Sequence, residues 1–215
     1  MIQEHIEKLR REYLGERLDE TTVRRDPFLQ FGKWLEAAVK AELPDPHAMV
    51  IATASRTAKP SARIVLLRGF DRNGLVFYTN YSSRKGIEML SNPNASGVFL
   101  WKELDRQIRV EGMVEKVSDM ESDKYFQSRP RDNQIAAWAS SQSQVIASRE
   151  ELDNLFKEFE KKFDGRLVPR PANWGGFRLK PVSYEFWQGR PSRLHDRILY
   201  TLVGQNNWQI SRLAP

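Results

Sequence analysis

Residues 61–85, SARIVLLRGFDRNGLVFYTNYSSRK, restrict what this chain can fold into more than any other stretch. Residues 64–67 form a β-branched and aliphatic run bracketed by Arg63 and Arg68, and residues 75–79 form a second strand-like run rich in Val, Phe and Tyr. Asp71-Arg72-Asn73-Gly74 lies between them, and Asn-Gly tolerates the positive φ of short hairpin loops. The spacing predicts that the two runs pair antiparallel, with Arg63 and Arg68 on opposite faces by the strand period of two. After Thr79 the pattern changes to Ser82-Ser83-Arg84-Lys85, where a serine can cap a helix whose free N–H groups and two adjacent cations suit a phosphate. A serine-capped basic turn is also common on ordinary solvated surfaces, so a site there needs support from other segments.

The flanking sequence is strand-rich. Residues 48–53, 95–101, 107–117, 177–187, 198–203 and 208–213 read as strands, with Gln107, Arg109 and Glu111 on one face of their strand and Ile108 and Val110 on the other. Asp26-Pro27 predicts a helix start, and Phe28, Phe31, Leu35 and Val39 its buried face. Short helices are expected at 120–128 and 133–140 around Pro130, and a capping box at 148–151 opens a charged helix running to Phe163. Ile2, Ile6, Leu9 and Tyr13 fall at helical spacing ahead of a polar connector, which predicts an N-terminal helical arm over residues 1–25 and one domain over 26–215. Five to seven antiparallel strands with helices between them, and no βαβ alternation, predict a mainly β fold with helices (α+β), a small closed or split barrel. Neither G-x-G-x-x-G nor G-x-x-x-x-G-K-[ST] occurs, so a dinucleotide fold or P-loop is unsupported.

Composition narrows the chemistry. The 215 residues contain no Cys and three His, which excludes disulfides and thiolate metal sites and makes a zinc cluster unexpected. No apolar run approaches the roughly eighteen residues of a membrane span, and the amphipathic N-terminus does not read as a signal peptide, so a cytoplasmic protein is expected. The net charge of +6 raises the possibility of a non-enzymatic basic nucleic-acid-binding module. The arginines, however, recur singly beside aromatics and glycines, a pattern that suits pockets for small phosphorylated ligands better than one electrostatic stripe. Residues 124–134 (KYFQSRPRDNQ), Gln142-Ser143 and residues 185–197 (EFWQGRPSRLHDR) add many donors and few bases, which fits phosphate recognition and a bound cofactor better than hydrolysis.

These segments, in order with LRREY at 9–13, RIVLLR at 63–68, FYTN at 77–80, SRK at 83–85, DRQ at 105–107, WGGF at 174–177, RLHDR at 193–197 and the terminal RLAP, resemble the pyridoxine/pyridoxamine 5′-phosphate oxidase family over nearly the whole chain. The resemblance implies an FMN-binding split β-barrel, a homodimer with the flavin at the subunit interface, and oxidation of phosphorylated B6 vitamers by hydride transfer to the flavin, with oxygen as acceptor and hydrogen peroxide as product. A split-barrel flavin oxidase acting on another substrate is the alternative within the same fold.

By position, the resemblance implies FMN contacts at Arg63, Ile64, Val65, Leu66, Leu67, Arg68, Tyr78, Thr79, Arg84, Lys85, Gln107, Gln142, Ser143, Trp187 and Arg197, with Gln142, Ser143, Trp187 and Arg197 reaching across the interface. It implies substrate contacts at Arg68, Tyr125, Arg129 and Asn133 around the phosphate and at Arg193, Leu194 and His195 over the ring, Arg193 and His195 being the catalytic pair. Arg10, Arg11, Glu12 and Tyr13 correspond to a mobile substrate-covering arm. Taken singly, Trp187 and Tyr125 read as core aromatics, His195 as a hydrogen-bonded structural residue, and Arg193 and Arg197 as surface ion-pair partners. The chain departs from the family pattern where it has Arg68 for Lys, Asn133 for Ser and Gln127 for His, and Arg binds phosphate with a different geometry from Lys.

Overall fold

Turn chemistry decides which strands pair. Strands β1 (Ala48–Ala54) and β2 (Pro60–Leu66) lie antiparallel with Val50 opposite Ile64 and Ala52 opposite Ala62. The Asp71–Gly74 turn instead joins β3 (Gly69–Asp71) to β4 (Gly74–Asn80), with Phe70 opposite Leu75. Residues 64–67 and 75–79 are therefore not the predicted hairpin. A tight turn pairs the residues that flank it directly, and those are 69–71, whereas β2 has already ended at Leu66. Gly74 takes φ +134°, and a Cβ there would meet the Leu179 carbonyl oxygen at 2.0 Å, so only glycine serves.

The computed structural model describes residues 2–9, 11–205 and 207–215. Arg10, the first residue of the expected arm segment, lies outside them. Among the described residues there are nine strands, against the five to seven predicted; the strand not foreseen is β3, three residues long beside the Asn-Gly turn. The strands hydrogen-bond in the order β2-β1-β5-β6-β7-β4-β3, where β5 is Asn94–Trp101, β6 Arg106–Lys116 and β7 Trp174–Gln188; β8 (Asp196–Leu202) pairs with β7, and β9 (Trp208–Arg212) with β8. No helix among the described residues is long and apolar enough to cross a membrane.

Contacts group the chain into two units. One comprises residues 1–47, 98–110 and 182–215, and the other residues 48–97 and 111–181. In the first, helix α1 (Ile2–Lys8) precedes an irregular segment, and α2 (Pro27–Lys40) starts as the sequence dictates, the Asp26 carboxylate accepting from the Phe28 N–H at 2.9 Å with Pro27 in the first turn. The buried face of α2 is Phe31, Trp34 and Ala38 rather than Phe28, Phe31, Leu35 and Val39; Val39 is 55% exposed. Trp34 claims the face because its indole meets Phe186 edge-on at 5.2 Å, while Phe31 meets Phe99 at 5.2 Å. Ile2, Ile6 and Leu9 stay exposed.

In the second unit β4 pairs with β7, Tyr78 opposite Gly176 and Phe77 opposite Phe177. Helix α3 (Arg84–Ser91) follows β4, capped by Ser83, whose Oγ accepts from the Gly86 N–H at 3.3 Å. Helices α4 (Asp119–Gln127) and α5 (Arg131–Ala139) flank Pro130, and α6 (Arg149–Lys162) opens on Ser148, all close to the predicted spans. Phe126, Ile135, Phe163, Val168 and Trp174 form a core cluster under the helices, each side chain contributing about 1.5–3 kcal/mol of burial.

Candidate functional site

A cleft of about 560 Å³ opens in the second unit, lined by Ile64, Val65 and Leu66 at the end of β2, by Arg68 just beyond it, by Tyr78 and Thr79 of β4, Lys85 of α3, Tyr125, Arg129 and Asn133 around the α4–α5 break, and Gln142. Eleven residues that the family resemblance implicated thus meet in one place. Thr79 is buried and donates to the Gln142 side-chain carbonyl at 2.9 Å, and Lys85 Nζ donates to Thr79 Oγ1 at 3.0 Å and to Gln142 at 3.2 Å. Gln142 therefore sits on its own chain's cleft residues, where delivery from a partner was expected. Neighbouring Ser143 is exposed at φ 71° and does not line the cleft.

The cleft's other wall is aromatic. Tyr78 stacks on Tyr125 with centroids 3.8 Å apart and on Trp174 at 5.6 Å, and the Arg129 guanidinium lies 4.6 Å over the Trp174 ring. Arg129 Nη1 is buried without a hydrogen-bond partner. Burial pulls the Arg129 pKa down, Tyr125 partly offsets this, and the nearby Arg68 charge adds a smaller lowering; burial and then Arg63 pull the Lys85 pKa down. No carboxylate pairs with Arg68, Lys85 or Arg129 among the described residues. Two partly desolvated cations, Lys85 and Arg129, which are costly to hold without an anion, converge with the exposed Arg68 on one concave surface.

Arg63 and Arg84 are placed differently. Both turn to Glu88, which is buried; Arg84 Nε lies 2.9 Å and Arg63 Nη2 3.3 Å from its carboxylate, and Thr53 and Ser61 hydroxyls donate to it at 2.5 and 2.6 Å. Burial alone would raise the Glu88 pKa, but these hydroxyls and arginines hold it down at about 2. Neither arginine lines the cleft, and buried Leu67 does not either. Arg68 follows the end of β2, so its direction is set by the connection to β3 and not by strand alternation.

In the first unit a second cluster forms. Tyr13 meets Trp187 edge-on at 5.5 Å and His195 at 5.0 Å, and Trp187 lies 4.6 Å from His195. His195 Nδ1 accepts from the Arg190 backbone N–H at 3.1 Å, which places the proton of the neutral ring on Nε2. Burial and the charge of Arg193 lower the His195 pKa and favour that neutral form. Arg193 takes φ 60° within a single 3₁₀ turn at Pro191–Arg193, so residues 193–195 are not extended and their side chains do not simply alternate as expected. Arg11, Glu12, Tyr13, Arg190, Ser192 and Arg193 line a recess here, and Leu194 is exposed. Arg197 is paired with buried Glu185 at 2.8 Å, and Arg109 reaches the same carboxylate at 3.2 Å. Gln107 is half-buried on β6.

Comparison with known proteins decides the family. The model described as pyridoxamine 5′-phosphate oxidase matches residues 35–162, and that described as the pyridoxine 5′-phosphate oxidase C-terminal dimerisation region matches residues 174–215. The chain belongs to the pyridoxamine 5′-phosphate oxidase family. It is 54% identical over 210 residues to a pyridoxine/pyridoxamine 5′-phosphate oxidase of Nostoc sp., covering 98% of each chain, and 54% identical over 207 residues to that of Cupriavidus metallidurans, covering 96% and 97%. Among solved structures, PhzG from Burkholderia lata, in complex with tetrahydrophenazine-1-carboxylic acid, superposes with a TM-score of 0.87 at 31% identity over 94% of this chain and 99% of that one. An FMN-binding protein of Nostoc punctiforme related to the oxidase gives 0.68 at 17% over 93% and 100%, a likeness of fold alone. The fold class is the mainly β, split-barrel class that the strand pattern and the resemblance implied.

Within this oxidase family frame, sequence reasoning passed over Trp174, Ser128 and Pro130, which complete the cleft wall. Trp174 stood in the WGGF motif without a role; its position after a helical segment and before paired glycines was the available signal. Glu88 and Asp105 were also missed. Their signals were a carboxylate one helical turn after Arg84 and a carboxylate beside Gln107 in a strand break.

Proposed function

We propose that this chain oxidises pyridoxine 5′-phosphate and pyridoxamine 5′-phosphate to pyridoxal 5′-phosphate with FMN, oxygen being reduced to hydrogen peroxide and the amine substrate additionally taking up water and releasing ammonia. The observation that carries the proposal is the convergence of Arg68, Lys85 and Arg129, unpaired by carboxylates, on a cleft whose volume falls within the roughly 300–1,000 Å³ of ligand sites. Flavin and substrate each carry a phosphate, and the cations divide accordingly. Lys85, beside the open N–H groups of α3, would hold the FMN phosphate together with Thr79 and Gln142. Arg68, Arg129 and Asn133 would hold the substrate phosphate.

The residues present fit FMN: the desolvated Lys85 ammonium, with Thr79 and Gln142 beside it, is relieved by an anion, and Tyr78, Tyr125 and Trp174 supply a flat apolar wall, while the buried, unpartnered Arg129 Nη1 is left for the substrate phosphate. The chemistry supplied by bound FMN is acceptance of a hydride from the substrate C4′ carbon, with the electrons passed on to oxygen. The chain's own task is to orient the substrate and keep water out. Trp174 stacks beneath Arg129, Tyr125 would flank the substrate, and Arg193 and His195 are the residues proposed to lie over the ring, with His195 neutral and donating from Nε2. The enzyme is proposed to act as a homodimer in which Trp187 and Arg197 complete a partner's flavin site, a reading supported by the match of residues 174–215 to a dimerisation region.

The relative with the phenazine carboxylate raises a second reading, an oxidase of another anionic substrate on the same cations. Reconstitution with FMN followed by oxygen-uptake assays separates the two. Uptake is expected with both phosphorylated vitamers and not with unphosphorylated pyridoxine or pyridoxamine. Uptake with a tetrahydrophenazine carboxylate alone favours the second reading, and a protein that takes up no flavin overturns both.

A further inference from the structure

We propose that Asp105 is a latch that fixes the N-terminal arm with Tyr13 against Trp187 and His195, and is therefore a positioning residue for substrate binding at that cluster. The kinetic half of this inference rests on the function proposed above; the latch itself rests on geometry.

Asp105 follows a single 3₁₀ turn at Lys102–Leu104 and adopts the left-handed conformation, φ 52° and ψ 38°, which Asp tolerates better than most residues. Its backbone is anchored on the segment that leads to the cluster: its carbonyl accepts from the Gly189 N–H at 2.7 Å and from Gln188 Nε2 at 3.1 Å. Its buried side chain faces the arm. Oδ2 accepts from the Leu14 N–H at 3.1 Å, and Oδ1 lies 2.6 Å from Arg11 Nη2 in a charge contact without an aligned hydrogen bond, the guanidinium donating instead to the Lys102 carbonyl at 2.6 Å. These two attachments straddle Tyr13. The ring between them is laid on Gly189, where a Cβ would come within 2.5 Å of Tyr13 Cδ1 and 3.0 Å of Asp105 Cβ. One carboxylate thus sets the position of the arm residue that touches both Trp187 and His195.

The other arm attachments lie further along. Arg190 donates to the Gly15 carbonyl at 2.5 Å, and Asp196 and Arg212 hold the Leu18 N–H and carbonyl at 3.1 and 3.0 Å. They tether the base of the arm and keep it near the cluster when the latch is open, so that loss of Asp105 frees residues 11–14 without detaching residues 15–18. The Leu14 N–H on a buried carboxylate is the stronger half of the latch. Arg11 is 42% exposed, so its half is screened by solvent.

The test uses purified, FMN-loaded protein and three variants: Asp105→Ala removes both attachments, Asp105→Asn keeps an acceptor for Leu14 but loses the charge, and Arg11→Ala removes the exposed half with little risk to folding. Backbone hydrogen exchange over residues 11–14 is expected to accelerate at least roughly tenfold in Asp105→Ala and a few-fold in the other two. KM for pyridoxamine 5′-phosphate should rise in the same order at unchanged FMN content, with Asp105→Glu partly restoring it. Exchange equal to the parent's in both Asp105→Ala and Arg11→Ala overturns the latch, and faster exchange at unchanged KM overturns the positioning role. A parent that turns over neither vitamer overturns the proposed function instead, and the exchange rates still decide the latch.

Discussion

The cleft of the second unit and the arm cluster of the first use arginine in opposite ways. In the cleft, Arg68 and Arg129 have no carboxylate partner, and burial strains the charge of Arg129 and of Lys85. In the arm cluster almost every cation is already matched: Arg11 with Asp105, Arg190 with Asp196, Arg197 and Arg109 with Glu185, and Arg212 with Glu20 and Asp196. An unpaired, partly desolvated cation is a vacancy for a ligand, whereas a paired one is a fixed strut. The difference marks Arg68, Lys85 and Arg129 as free to take an anion and Arg11, Arg190 and Arg212 as held by carboxylates, a distinction that residue type alone cannot make.

The sharpest way to break that contrast is to remove a cleft cation. Arg129→Ala should raise KM for pyridoxamine 5′-phosphate on the order of a hundredfold or more, because a charged, desolvated phosphate contact is lost, while the aromatic wall and FMN content persist. Steady-state kinetics beside flavin absorbance measure it. A KM within about twofold of the parent's would place the substrate phosphate elsewhere.

The second test compares neighbours on α3. Lys85→Ala should weaken FMN binding by roughly ten- to a hundredfold, the range of a hydrogen bond to a charged group. Arg84→Ala should weaken it much less, since Arg84 is held on Glu88 and is exposed. Flavin titration by fluorescence quenching ranks the two. Equal losses would mean that the bound phosphate draws Arg84 away from Glu88, and the strut would then be a reserve ligand.

The sequence made the elements legible because their signals were local: the Asp26 and Ser83 caps, the Asn73-Gly74 turn and the alternation on β6 all appear where they were expected. Strand partners were less legible, since β2 pairs back to β1 through the connection at residues 55–59 and not forward across the Asn-Gly turn. The cleft residues were legible only as an ordered set of motifs. Nothing in SRK distinguishes Lys85, which enters the cleft, from Arg84, which does not; that depends on Glu88 arriving one helical turn later and on Thr53 and Ser61 from two other strands. The left-handed Ser192 and Arg193 likewise overturn the expected extended geometry at RLH, because neither residue type announces a positive φ.

The smallest effect concerns His195, the histidine of the arm cluster. Burial and Arg193 lower its folded-state pKa below the ordinary value of 6.5, so the unfolded chain binds more protons in the window below that value. Stability contributed by the neutral ring is therefore fully present above pH 6.5 and is lost as pH falls from there through the depressed folded pKa. The Arg190 N–H enforces the sign, since it donates to Nδ1 and would face a second proton on the same atom in the imidazolium. Thermal midpoints measured from pH 7.5 down to 5 should decline in the parent and decline less steeply in His195→Gln, with the two curves converging on acidification. Cleft variants such as Arg129→Ala should keep the parental slope, because that slope belongs to the positioning region. If His195→Gln retains the full parental slope, the ring is not held neutral by these contacts, and the assignment of Nε2 as the donor to substrate falls with it.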